Sequence, residues 1–162
     1  MLTWDNHRLA GEGLITTMSE TIQDDVLGTL THNAKWGVFN GVVPFDDNQV
    51  GISIIFASPA DAVSPADLAQ AREAYLALVS RKSSIEAAIV DDLLTLYNDT
   101  WREDRDPINQ HQFLEAIKPD VISIELGFVR SLWYDDGDLF AGHALLIRFD
   151  EDSNITEIGL AG

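Results

Sequence analysis

His143 and the carboxylates just ahead of it are the residues whose types and spacing could do chemistry. They share one stretch, Tyr134-Asp135-Asp136-Gly137-Asp138-Leu139-Phe140-Ala141-Gly142-His143. An imidazole titrates near neutral pH, so His143 could serve as a general base or a ligand, with Asp135, Asp136 or Asp138 to orient it. That is the alternative reading, a small hydrolase or a metal-assisted enzyme. Against it stands a strand histidine bonded to a neighbouring strand or turn. Catalysis needs groups within ~3 Å of each other, which proximity in sequence does not supply. We assign no catalytic residue from the sequence. The same carboxylates do not make a calcium loop, which spaces its ligands at alternate positions over ~12 residues and closes on a glutamate. A tight turn between two strands accounts for them better.

The remaining histidines, His7, His32 and His111, are scattered, and no pair has the i, i+4 spacing of a helical metal site. There is no cysteine, so disulfides and thiolate zinc sites are excluded. No glycine-rich phosphate loop follows a strand, and no Gly-x-Ser-x-Gly elbow occurs. The expectation is a chain with no metal and no cofactor. Trp4, Trp36, Trp101 and Trp133 read as core or sheet-face residues, and Trp101, set among charges, as a candidate interface anchor.

Charge is the outstanding property. Against 10 Lys and Arg stand 27 Asp and Glu, a formal net charge of −17. Phosphate contacts demand basic residues, so nucleic acid and an anionic membrane surface are poor partners. A basic protein is the partner that this charge attracts, since long-range attraction speeds association. The most suggestive surface runs from Asp91-Asp92 through Asp99, Glu103, Asp104 and Asp106. Asp92, Asp99 and Glu103 recur at spacings of seven and four and so could share a helix face. Its plain counterpart is a solvated helix face partly neutralised by Arg102 and Arg105. The acidic turns, including Asp135, Asp136 and Asp138, would add negative charge at one end of a sheet.

These residues must be positioned by elements, and the helices are the clearest. Ser64-Pro65-Ala66-Asp67 is a helix start with a serine cap, proline in the first turn and a nearby carboxylate. Leu68, Ala71, Tyr75, Leu78 and Val79 then share one face. A break follows at Arg81-Lys82-Ser83-Ser84, and Ser83-Ser84-Ile85-Glu86 reads as a capping box for a second helix. That helix carries Ile85, Ile89, Leu93, Leu96 and Tyr97. Asp106-Pro107 reads as the start of a short third helix, ended at Lys118-Pro119. Strand patterns precede this block at 26–31, 36–43 and 50–56 and follow it at 121–128, 131–134, 139–149 and 155–160.

Strands, then helices, then strands argue for α+β: a largely antiparallel sheet, with an N-terminal three-stranded meander and C-terminal strands, packed against two or three central helices. The 162 residues read as one domain, with residues 1–25 left as an unassigned extension. No apolar run reaches the ~18–20 residues of a membrane span, and the N-terminus lacks a signal-peptide pattern, so a cytoplasmic location is expected.

Ile122-Ser123-Ile124, the stretch from Tyr134 to His143 and the terminal Leu160-Ala161-Gly162 together resemble an uncharacterised bacterial family, a domain of unknown function. A weaker echo lies at Leu27-Gly28 and from Trp36 to Gly41, ahead of the helices. The resemblance implies a small α+β protein. Similar acidic single-domain proteins serve as immunity partners of bacterial toxins. The functional expectation is therefore an immunity-type protein that binds and neutralises a toxin domain, such as a basic nuclease. Its contact residues would be Asp92, Asp99, Trp101, Glu103, Asp104, Asp106, Asp135, Asp136 and Asp138. A structural or regulatory domain, acidic for solubility alone, is the third reading.

Overall fold

The structure, a computed structural model, describes residues 20–162. The part of the unassigned extension that falls in residues 1–19, with Trp4 and His7, lies outside the described residues. The rest forms an eight-stranded sheet in strictly sequential order. Its strands are β1 (Thr21–Asp24), β2 (Gly28–Asn33), β3 (Val38–Phe45), β4 (Asn48–Ile55), β5 (Lys118–Glu125), β6 (Arg130–Asp135), β7 (Ala144–Phe149) and β8 (Ile155–Ala161). Between β4 and β5 come α1 (Pro65–Ser80), α2 (Lys82–Leu96), a π-helical turn Tyr97–Trp101 and α3 (Gln110–Ala116).

The α+β class holds. Neighbouring strands pair antiparallel except β4 and β5, which run parallel with Ser53 opposite Ser123. The helical block causes that exception, because returning to the same end of a sheet takes a long crossover. Period-two alternation puts Val50, Ile52 and Ile54 of β4 and Ile122 and Ile124 of β5 on the helix-covered face. From the helices, Ala71, Ala74, Tyr75, Leu78, Ile85, Ile89 and Leu93 meet them in one core. The Tyr75 hydroxyl crosses that layer to donate to the Pro44 carbonyl.

The other face carries a polar row in register across every strand: Thr21, Thr31, Asn40, Ser53, Ser123, Ser131, Arg148 and Glu157. Antiparallel sheets tolerate one wet face, and this row is the expected pattern for it. Among the described residues no helix is long and apolar enough to cross a membrane.

Several expectations are corrected. The meander is a strand longer, because residues 21–24 of the extension pair with β2. Segment 139–149 is not one strand; β7 starts at Ala144, and Leu139 and Phe140 are buried in the loop before it. The Ser64 cap of α1 is as expected, with Asp67 completing a capping box. The Ser83–Glu86 box does not form. Arg81 alone separates α1 from α2, so α2 starts earlier, and Glu86 pairs with Lys82 at 2.6 Å. The third helix starts at the Asn109–Gln112 capping box, not at Asp106-Pro107. The Asn98 amide makes two 2.9 Å bonds to the Ile108 backbone and holds that segment out of the helix. Leu96 is exposed, and Trp36 is 67% exposed on the β2–β3 turn, so neither is core.

Candidate functional site

The acidic residues gather where α2 ends. The π turn Tyr97–Trp101 continues α2, and Glu103 then adopts a left-handed conformation with φ 53°. A π turn widens the helix by one residue per turn and is frequent at functional sites. It also breaks the expected spacing: Asp92 sits on α2, Asp99 in the π turn and Glu103 beyond the helix, so seven and four no longer mark one face. Asp92, Asp99, Glu103, Asp104 and Asp106 are all exposed.

Their neighbouring arginines do not form ion pairs with them. Arg102 donates through Nε to the Asn98 carbonyl at 2.6 Å and through a guanidinium nitrogen to the Arg105 carbonyl at 2.6 Å. Arg105 donates to the Arg102 carbonyl at 3.3 Å and lies over the Tyr97 ring. Both side chains thus satisfy carbonyls left over at a helix C-terminus, and neither has a carboxylate within 4 Å among the described residues. The carboxylates are left to solvent.

A second segment, the β6–β7 loop of residues 136–143, is fastened to this end. Arg105 reaches the Asp138 carbonyl at 3.4 Å. Phe140 is fully buried and meets Tyr97, Trp101 and Phe113 edge-on at 5.9, 5.7 and 6.3 Å. Such contacts add about 0.5–1.5 kcal/mol each beyond burial. Asp136 shapes the loop. Its carboxylate, on a side chain only 5% exposed, accepts from the backbone N–H of Asp138, Phe140 and Gly142 at 3.1, 2.8 and 2.9 Å. Gly137 is obligatory here, since at φ 58° a Cβ would lie 2.2 Å from the Ala116 carbonyl oxygen.

The candidate contact residues therefore divide. Asp135 and Asp138 are exposed at the loop surface. Asp136 faces inward and holds the loop, so its carboxylate is spent on three amides. Trp101 is half-buried against Phe140 and His143, a support for the surface more than an anchor on it.

His143 is half-buried in the same cluster. Its Nδ1 lies 2.7 Å from the Phe140 carbonyl, and because that oxygen can only accept, Nδ1 is the donor of the pair. Trp101 covers one side at 5.4 Å, and the terminal Gly162 packs against Cδ2. The nearby aspartates do not orient it: Asp136 is committed elsewhere, and no carboxylate oxygen lies within 4 Å of either ring nitrogen among the described residues. A carbonyl-bonded strand-end histidine is what the geometry describes. Among the described residues no three His, Asp or Glu side chains gather closely enough to hold a metal ion.

The sequence reading did not single out Tyr134. Its ring is buried beneath α2, and its hydroxyl has no hydrogen-bond partner among the described residues. Burial, with the Glu86 charge second, raises its pKa. The missing partner and the nearness of Glu86 are both tertiary facts, so no sequence signal pointed to them.

No curated protein and no solved structure matches the chain. One family does: its description reads "uncharacterized protein conserved in bacteria (DUF2262)", and the match runs over residues 24–160. This span takes in both the helical block and the Asp136 loop, and the chain belongs to that bacterial family.

Proposed function

We propose that the protein is an immunity-type binding protein whose acidic surface at the end of α2 docks onto a basic protein partner, a toxin domain such as a nuclease. One observation carries this reading: Asp99, Glu103, Asp104 and Asp106 point to solvent while Arg102 and Arg105 are spent on backbone carbonyls. The uncompensated charge steers a basic partner into encounter, and the aromatic cluster beneath keeps the surface from deforming. Asp135 and Asp138 extend it across the β6–β7 loop. A cytoplasmic site of action follows from this role.

The test is co-expression with the product of the adjacent upstream gene. The reading requires a stoichiometric complex, retained at moderate salt, in which the partner's activity is inhibited. A co-expressed basic product that neither binds nor is inhibited at low salt contradicts it and leaves a plain acidic domain.

A further inference from the structure

At the other end of α2 lies a cavity of about 350 Å³ whose chemistry is opposite to the acidic surface. Ile85, Phe149 and Ile155 form an apolar wall. Facing it are Arg81 and Ser84 from the junction of the two long helices and Ser153 and Asn154 from the β7–β8 turn. No lining residue is acidic, in a chain with 27 acids.

Two arginines converge on Ser153. Arg81 donates to its carbonyl and Arg130 to its Oγ. Neither has a carboxylate within 4 Å among the described residues. Ser153 is 3% exposed, and because its Oγ already accepts from Arg130, its own O–H proton remains to be given. No acceptor for it occurs among the described residues. A buried donor without an acceptor is costly, and a ligand oxygen in the cavity supplies one. The start of α2 points the same way: Arg81 offers no side-chain cap, and the first turn has no acid. Asp150, an acid of the same turn, is not a lining residue, although the Arg130 charge acts on it. Its carboxylate accepts from Asn154 N at 2.8 Å, Asn154 Nδ2 at 3.1 Å and Asp152 N at 3.0 Å.

We propose that this cavity binds a small molecule headed by an oxyanion, phosphate or carboxylate, with a short apolar body. The head meets the Arg81 guanidinium and the Ser153 hydroxyl, and the body lies on Phe149 and its neighbours. Arg–oxyanion bonds are among the stronger ones available, and the apolar wall adds selectivity over a bare ion. This site does not depend on the toxin-binding reading and stands or falls without it.

The full chain is titrated with inorganic phosphate, phenyl phosphate and benzoate, followed by amide NMR. The expected result is saturable shifts at Arg81, Ser83, Ser84 and 153–155, with an aromatic probe binding at least about tenfold tighter than inorganic phosphate. Preference for phenyl phosphate identifies a phosphoryl head, and preference for benzoate a carboxylate head. Arg81→Gln is expected to weaken binding about tenfold or more, and Arg81→Lys less, since the lysine keeps the charge without the fork. Because Arg81 also braces the turn, Ser153→Ala serves as the second variant: it removes the free donor and is expected to weaken binding severalfold. Absence of saturable shifts with all three probes overturns the proposal. So do shifts spread over Lys35 and Lys118, or affinities unchanged by both Arg81→Gln and Ser153→Ala.

Discussion

The two ends of α2 carry charge of opposite sign, and at each end the sign is the one that the helix dipole disfavours. At the start stand Arg81 and Lys82, with no acid in the first turn. At the finish, beyond Asp91 and Asp92, come Asp99 and Glu103 with no base in the last turn of the helix proper. A helix prefers the reverse, by about 0.3–1 kcal/mol per charge. Part of the start has a local cause, because Arg81 closes α1, where a cation is welcome. The finish has no such excuse: its two arginines cap carbonyls while four acids stay in solvent. Charges set against the dipole are what the proposed docking surface and the proposed anion site would require. The ends also differ in construction. The start is a cleft between a helix junction and a turn, whereas the finish is a surface over a packed aromatic cluster. Fifteen residues of helix separate them, roughly 22 Å.

Removing the support beneath the acidic end breaks the contrast most severely. Phe140→Ala deletes a fully buried ring that touches three other aromatics and is expected to cost about 3–5 kcal/mol in chemical denaturation. Asp136→Ala strands three amide donors, two of them in the turn around Phe140, and is expected to cost about 3 kcal/mol by the same measurement. Neither change should move the amide resonances of Arg81 or Ser153 in the folded protein.

Charge reversal sharpens the contrast at smaller energy. Asp99→Lys with Glu103→Lys should leave stability unchanged or raise it, by up to about 1 kcal/mol, since cations suit a helix C-terminus. The same pair should slow association with a basic partner. Opposite signs for stability and binding distinguish a retained site from a merely solvated face.

The smallest effect is acid sensitivity at the start of α1. Asp67 is held below its ordinary value of 3.8, first by the Ser64 backbone N–H and then by side-chain bonds to Ser64 and Ser58. A lowered folded-state value means that the capping box contributes fully above pH 3.8 and is lost as pH falls through the folded value. Asp150 behaves likewise through Asn154. Carboxyl NMR titration should place both midpoints below those of exposed aspartates, and Ser64→Ala should return Asp67 toward 3.8.

The sequence was most legible where pattern and local chemistry agree. The Ser64 cap, the apolar face of α1 and the alternation of Ile122, Ile124 and Leu126 needed no tertiary information. Thr21–Asp24 escaped because four residues with one apolar position do not establish a period, and only pairing with β2 makes them a strand. The parallel β4–β5 pair is implicit in the strand–helix–strand order, because a long helical crossover can return the chain to the same end of the sheet. At the site, composition pointed to acidic surface, and Asp99, Glu103, Asp104 and Asp106 are there. Three adjacent aspartates could not show by themselves that Asp136 turns inward while Asp135 and Asp138 do not. That choice belongs to the amides of Phe140 and Gly142, which close on it only in the folded loop. The Arg81–Ser153 contact joins residues 72 apart and had no local signature at all.

The central claim is that unpaired carboxylates at the end of α2 steer a basic partner. Its most direct test is the association rate with the co-expressed partner, by stopped flow, for the native chain and for Asp99→Lys with Glu103→Lys across a salt series. The account predicts a native rate that falls steeply with salt, and a reversed variant that is at least about tenfold slower at low salt with a flatter dependence. Equal rates and equal salt slopes for the two chains would contradict it.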